Sequence, residues 1–266
     1  MAVSAKDVMS LRQRTGLGMM QCKQALTEAN GDEDVAIELL RKKLKGKMDE
    51  RTDRQSTEGA IAVARASGAI ALIELTSETD FVSRNDHFVE SAARIAEIAL
   101  GGDDGDVAAD DTISSIVDEL RITTQENVTY RRGVKFSGEV LGSYVHHNRK
   151  IGVVIQGKGD LSDDLRTGIC QHIAAAVPTP IAVDESSLPA ADLEKQKQTA
   201  IEEAQASGKP PQIAEKIAVG KLRKWVDENT LMGQIYLREM DSKKAVRDFL
   251  PKDGAIRAFI RYELGG

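Results

Sequence analysis

The side chains of this 266-residue sequence best suited to metal binding or nucleophilic attack are four histidines and two cysteines. Zinc needs three or four ligands that converge on one point. Cys170 and His172 stand two apart on an expected helix, so they project in different directions, and His87, His146 and His147 add no ligand spacing to them. Neither Cys22 nor Cys170 has an obvious basic companion, and no Gly-x-Ser-x-Gly elbow is present. Asp103-Asp104 and Asp163-Asp164 are adjacent carboxylates, yet they fall in a loop and at a helix start, where acids serve structure. The glycines at 16/18, 101/102/105 and 157/159 fit neither Gly-x-x-x-x-Gly-Lys-Ser/Thr nor Gly-x-Gly-x-x-Gly, so they are turn formers rather than a phosphate cradle. An enzyme acting on a small molecule is disfavoured, and neither cofactor nor metal is expected.

One short run stands apart. Glu78-Thr79-Asp80-Phe81-Val82 sets two acids beside two apolar residues where a strand should hand over to a helix, in a chain with five phenylalanines in all. Two readings are open at this point. Phe81 or Val82 is a hydrophobic staple on the first helical turn, with Ser83 or Asn85 as its cap, or the loop presents its apolar side chains to a partner. His146-His147 sits at an expected hairpin tip and is open in the same way, as two solvated residues or as a contact.

The bulk properties frame these candidates. With 36 Lys+Arg against 42 Asp+Glu the net charge is −6, which argues against general nucleic-acid binding. Hydrophobic residues at 41% and charged residues at 29% belong to a soluble globular chain with two or three modules. No apolar run approaches the roughly 20 residues of a membrane span. The start, Met1 to Asp7, reads as neither a secretion nor an import signal, so a cytoplasmic home is expected. Two distant cysteines do not make a disulfide framework. Aromatic residues are scarce at 4%, so the core must come from Ala, Ile, Leu and Val.

Hydrophobic spacing supplies the elements that must position the run at 78–82. Residues 4–50 read as three short helices: Ser4 and Asp7 form a capping box, Thr15-Gly16-Leu17-Gly18 breaks the first helix, and Gly31 follows the second. Residues 45–56 read as a linker. Strands over 60–64 and 69–75 flank a tight Ser67-Gly68 turn, a loop covers 76–82, and a helix runs over about 84–99. Residues 101–111 read as surface loop, 113–120 as helix, 134–145 as one extended stretch, 151–155 as strand and 162–176 as helix. Hairpin followed by helix therefore occurs twice, a weak internal duplication of an α+β unit. A polar helical hairpin over 187–228 turns at Ser207-Gly208-Lys209-Pro210-Pro211 and interrupts the second unit. A short strand at 235–237, a helix from Asp241 to Leu250 and a strand from Ile256 to Leu264 complete it.

At the 78–82 run the sequence closely resembles the translation elongation factor Ts family, the guanine-nucleotide exchange factors for elongation factor Tu. Residues 11–26, Leu-Arg-Gln-Arg-Thr-Gly-Leu-Gly-Met-Met-Gln-Cys-Lys-Gln-Ala-Leu, look like that family's opening signature, and Glu78-Thr79-Asp80-Phe81-Val82 like its core signature. Further similarity lies in residues 149–154, in His172-Ile173-Ala174-Ala175, in Gly208-Lys209-Pro210 with residues 213–217, and in residues 259–263. These blocks keep family order over nearly the whole chain.

The resemblance implies an α+β fold with an N-terminal three-helix, ubiquitin-associated-like domain at 1–54. A first core subdomain would follow at 55–139, and a second at 140–266, interrupted by a coiled-coil hairpin at about 187–228. It implies elongation factor Tu as partner and Asp80 and Phe81 as the residues that dock near the partner's nucleotide and magnesium site, with Thr79 and Val82 beside them. Met19, Met20 and Lys23 would give a second contact, and His146 and His147 correspond roughly to the family's hairpin-tip contact. Direct nucleic-acid or membrane binding is not expected, and the helical hairpin is open either to pair two copies or to stay free. Two departures stand out. Ser77 occupies a position where many members have Asn, and Glu263-Leu264-Gly265-Gly266 stands where some relatives continue into a C-terminal helical module. The competing reading is a protein-interaction scaffold without exchange activity, in which Phe81 would be buried.

Overall fold

The computed structural model describes residues 3–49, 54–206, 208 and 210–266; for 45–49 only the backbone is considered. The chain is α+β and packs as two compact units. One holds the described residues of Met1–Ala64, Ala71–Lys135 and Glu263–Gly266, the other Arg65–Ile70 and Phe136–Tyr262.

In the first unit, α1 (Ala5–Thr15) starts at a capping box between Ser4 and Asp7 and stops at Gly16, whose φ of 68° is the left-handed conformation that glycine adopts without penalty. Helix α2 (Met19–Glu28) ends similarly: the Gly31 N–H, at φ 88°, donates to the Leu26 carbonyl at 2.8 Å. Helix α3 (Glu33–Asp49) carries Glu33 and Asp34 on its first turn, where acids meet the positive helix end. Leu11, Leu17, Cys22, Leu26, Ala36 and Leu40 bury the shared face of these helices. The expected linker from residue 45 is corrected, since α3 continues to Asp49; Gly46 does not break it. The rest of the linker before Arg54, residues 50–53, lies outside the described residues, as do Ser207 and Lys209 of the expected turn.

Strands β1 (Glu58–Ala66) and β2 (Ala69–Ser77) form the expected hairpin, with Gly68 at φ 72° in its turn. Strand β2 is buried almost throughout, on both faces. The one-turn helix α4 (Asp80–Ser83) and the amphipathic α5 (Asp86–Ala99) follow. Residues 76–82 are thus not all loop, because Thr79 caps α4, and the long helix begins two residues later than expected, because the Asn85 side chain accepts from His87 N–H and caps it. The expected loop at 101–111 contains a two-residue strand, β3 (Gly105–Asp106). Helix α6 (Asp111–Thr124), capped by Asp110, and β4 (Thr129–Ser137) complete the set.

Among the described residues the strands form a four-stranded sheet in the order β1-β2-β4-β3 and a three-stranded sheet in the order β5-β6-β7. Phe88, Ile95, Ile113 and Leu120 of α5 and α6 pack with Ile73 and Leu75 of β2 in the larger core. Each such side chain contributes about 1.5–3 kcal/mol on burial. The fully buried carboxylate of Glu74 is met by Arg132 Nε at 2.6 Å and by the Gly265 N–H at 3.3 Å.

In the second unit, β5 (Val140–Val145) and β6 (Ile151–Lys158) pair antiparallel from Val145↔Gly152 to Val140↔Gly157. The expected single stretch over 134–145 is corrected to two strands in different sheets, parted at Gly138, where φ is 148°. Helix α7 (Asp163–Ala175) covers the smaller sheet through Ile169, Cys170 and Ile173. Helices α8 (Ala190–Ala206) and α9 (Pro211–Asn229) form the antiparallel hairpin, joined by small residues at Ala200, Ala204, Ala214 and Ala218. After it, β7 (Ala255–Glu263) joins β6, so the hairpin does interrupt this unit's sheet. The strand expected at 235–237 and the helix expected at 241–250 are absent. Ile235 makes one isolated bridge to Ala245, and 3₁₀ turns occupy Leu237–Ser242 and Val246–Phe249. Backbone bonds there go to scattered acceptors, Tyr236 N–H to Lys244 O, Val246 N–H to Gln234 O and Arg247 N–H to Met232 O, so neither a ladder nor a helical repeat is built.

Candidate partner-binding loop

The Thr79–Val82 segment is a fixed turn. Thr79 is extended (φ −124°, ψ 156°), and its hydroxyl oxygen accepts from the Val82 N–H at 3.4 Å, the N-cap bond that starts α4. That hydroxyl also donates to Glu126 Oε1 at 2.5 Å, while the Thr79 N–H donates to Glu126 Oε2 at 3.0 Å. Ser77, the departure from the common asparagine, donates its hydroxyl to the Thr79 carbonyl at 3.0 Å. Within the turn, Ser83 N–H reaches Thr79 O at 3.2 Å and Arg84 N–H reaches Asp80 O at 3.1 Å.

This geometry sends neighbouring side chains about 100° apart, into different surroundings. Val82 packs against the larger core, whereas the Phe81 ring is 85% exposed. Most large apolar side chains leave water on folding, whereas this one stays almost fully solvated on its turn. Asp80, half-buried beside it, pairs with Arg84 Nη2 at 3.1 Å. The two open readings of the run therefore divide between residues: Val82 turns inward, Asn85 is the cap, and Phe81 faces solvent.

The other candidates lie elsewhere. Met19 and Met20, 53% and 76% exposed, and exposed Lys23 stand on α2, with Met19 and Lys23 four residues apart at the solvated edge of the stripe that buries Cys22 and Leu26. Met20 projects about 100° away from Met19, as the helical period requires. His146 and His147 belong to the other unit, at the β5–β6 turn. The Tyr144 hydroxyl and His146 Nδ1 are 2.8 Å apart, and the two imidazole centroids 4.2 Å, with His147 exposed.

His172 and Cys170, both buried in α7, make no joint site. Leu237 N–H donates to His172 Nδ1 at 3.3 Å, which leaves the proton on Nε2 to donate to Gln234 Oε1 at 2.9 Å. The Gln234 amide in turn donates to the Pro178 and Glu228 carbonyls. Burial pushes the imidazole below its ordinary pKa of 6.5, against the opposing bond from Gln234. Burial also pushes the Cys170 thiol up to about 12. Among the described residues no group of three or more His, Cys, Asp and Glu side chains is placed to hold a metal, and no helix is long and apolar enough to cross a membrane.

Glu126 and Asn127 are the residues that sequence reading missed. They stand 47 and 49 residues from their partners in the loop, and only the fold brings them there.

Comparison with known proteins bears on the whole chain. Residues 78–266, beginning at the loop's first acid, match the family model described as elongation factor TS. A protein named elongation factor Ts from Psychrobacter sp. (strain PRwf-1) is 40% identical, over 99% of this chain and 91% of its own length. Those of the same name from Alkalilimnicola ehrlichii (strain ATCC BAA-1101 / DSM 17681 / MLHE-1) and Thioalkalivibrio sulfidiphilus (strain HL-EbGR7) are 38% and 40% identical, each over all of this chain and 93% of its own length. A match of this extent, with the signature loop inside it, means that the chain belongs to the elongation factor Ts family.

Proposed function

We propose that this protein is a guanine-nucleotide exchange factor that binds elongation factor Tu carrying GDP and promotes GDP release, in the elongation step of cytoplasmic protein synthesis. The observation that carries the reading is the solvated Phe81 ring on a turn fixed by Thr79. Asp80 and Phe81 enter the partner's GTPase domain near its nucleotide and magnesium site, with the ring as wedge. Met19, Met20 and Lys23 of α2 add a second contact, and His146 and His147 a third.

Linkage sets the thermodynamics: the factor and GDP weaken each other's binding by the same factor. A thousandfold faster release requires about 4 kcal/mol from contacts made as the nucleotide site opens. Burying an aromatic ring in a pocket supplies about 1.5–3 kcal/mol of that. Asp80 and the flanking contacts supply the remainder. The reaction makes and breaks no covalent bond, so no acid, base or nucleophile is asked of this chain.

On this reading the chain divides into a three-helix, ubiquitin-associated-like domain at 1–54 and core subdomains at 55–139 and 140–266, the second carrying the inserted helical hairpin. A scaffold without exchange activity would use Phe81 as a core residue, and the ring's exposure supports exchange instead. The test is the release of fluorescent GDP from elongation factor Tu of the same organism. Acceleration by this protein is expected; an unchanged rate with both proteins folded would overturn the reading.

A further inference from the structure

The turn that presents Phe81 is held from outside its own segment. Helix α6 ends at Gln125, whose left-handed backbone (φ 58°) reverses the chain and brings Glu126 and Asn127 alongside residues 78 and 79. The contacts are reciprocal. Thr79 donates both its N–H and its hydroxyl proton to the two oxygens of Glu126, at 3.0 and 2.5 Å, and Asn127 N–H donates to Glu78 Oε1 at 2.8 Å. Arg54 joins them, its guanidinium meeting Glu78 Oε2 at 3.2 Å and its carbonyl accepting from Asn127 Nδ2 at 2.8 Å.

A helix of four residues has no stability of its own, since fixing its first turn costs more conformational freedom than one or two backbone bonds return. Val82 anchors its far side. Its near side, the N-cap Thr79, is fixed by Glu126, with Ser77 contributing one bond to the Thr79 carbonyl. A carboxylate that accepts two bonds from one residue sets the direction as well as the position of that residue, because charge-assisted bonds are the stronger and more directional ones.

We propose that Glu126 is a positioning residue for Phe81: its carboxylate chelates Thr79 and forms the α4 turn before any partner arrives. The proposal rests on the reading of Phe81 as the residue inserted into the partner. It assigns Glu126 no contact with the partner and no part in the opened nucleotide site. When only a fraction of molecules holds the competent turn, apparent affinity falls by that fraction, while saturating factor still engages every partner. Removing the clamp therefore changes the concentration at which the factor works and spares the maximal rate. Removing the wedge lowers the maximal rate itself.

The experiment measures GDP release from elongation factor Tu against factor concentration for the wild type, Glu126→Ala, Glu126→Gln and Phe81→Ala. Glu126→Ala is expected to raise the half-saturating concentration about tenfold with the maximal rate within about twofold, because the competent turn becomes a minor state. Glu126→Gln keeps one acceptor oxygen and falls between. In a Phe81→Ala background the Glu126→Ala change should add nothing, as two residues serving one contact do not add. An unchanged half-saturating concentration, a loss confined to the maximal rate, or an equal effect in the Phe81→Ala background would each overturn the proposal. Should Glu126→Ala not fold, Glu126→Gln, which keeps the side chain's length and one acceptor oxygen, is read by the same criteria. Hydrogen exchange at the Thr79 amide separates the clamp from the exchange reading. If the wild type fails to release GDP, faster exchange of that amide in Glu126→Ala still sustains the clamp, and unchanged exchange overturns it.

Discussion

Phe81 and Val82 are adjacent in the chain and opposite in environment: the valine packs against the core that α5 and α6 share with β2, and the phenylalanine ring stands 85% exposed. One residue step along the helix separates their directions by about 100°. A residue pair that divides labour in this way lets the loop be rigid and sticky at once, and each half can be altered without the other.

Phe81→Ala should leave stability within about 0.5 kcal/mol of wild type, as expected for an exposed side chain without partners in the core. Phe88, fully buried on the neighbouring helix, gives the contrast: Phe88→Ala should cost about 3–5 kcal/mol. Urea denaturation of the two variants checks this. A large loss for Phe81→Ala would mean that the ring is part of the folded core.

The Glu74 carboxylate is fully buried and depends on Arg132, whose Nε lies 2.6 Å away. Arg132→Met removes the nearer of two guanidinium partners, with Arg131 Nε left 3.9 Å from the carboxylate, and should cost about 3 kcal/mol, the lower end for a broken buried pair. Glu74→Gln in the same background should recover part of the loss. Urea midpoints of the single and double variants measure both effects.

His172 makes stability depend on pH with a defined sign. Burial lowers its folded-state pKa below 6.5, so the folded chain holds the imidazole neutral where the unfolded chain already takes up a proton. Stability from this group is complete above pH 6.5 and is lost as pH falls from there through the lower folded value. Urea midpoints at pH 7.5 and 5.5 should therefore fall further apart for wild type than for His172→Gln. Equal differences would contradict the assignment.

The Cys170 thiol, raised by burial to about 12, should resist modification in the native state. At pH 8 its thiolate fraction is of order 1 in 10,000, and reaction proceeds through the thiolate. Alkylation followed by peptide mass analysis should label Cys170 only when denaturant unfolds the second unit. Rapid labelling of the folded protein would show that α7 opens locally.

Much of this architecture is written in local signals. The capping box at Ser4, the left-handed glycines at 16 and 31, the Ser67-Gly68 turn and the Pro210-Pro211 start of α9 each act within a few residues, so spacing alone locates them. Residues 235–250 were illegible because their backbone bonds are scattered between Gln234, Met232 and Lys244 rather than repeated in a period. The break at Gly138 was illegible for another reason: both halves are extended, and only pairing tells one sheet from the other. At the site, the run from Glu78 to Val82 is visible as a composition anomaly. Which of its apolar residues faces water is decided by Thr79 and Glu126, 47 residues apart, and no short-range pattern encodes that bond.

On the proposed reading the exposed Phe81 ring drives nucleotide release. The most direct measurement is the rate of fluorescent GDP release from elongation factor Tu of the same organism at saturating factor, wild type against Phe81→Ala. Wild type should accelerate release strongly, and the folded Phe81→Ala variant should lose at least about tenfold of that maximal rate, the kinetic equivalent of 1.4 kcal/mol at the barrier. A Phe81→Ala variant as fast as wild type would contradict the account and move the wedge to another part of the molecule.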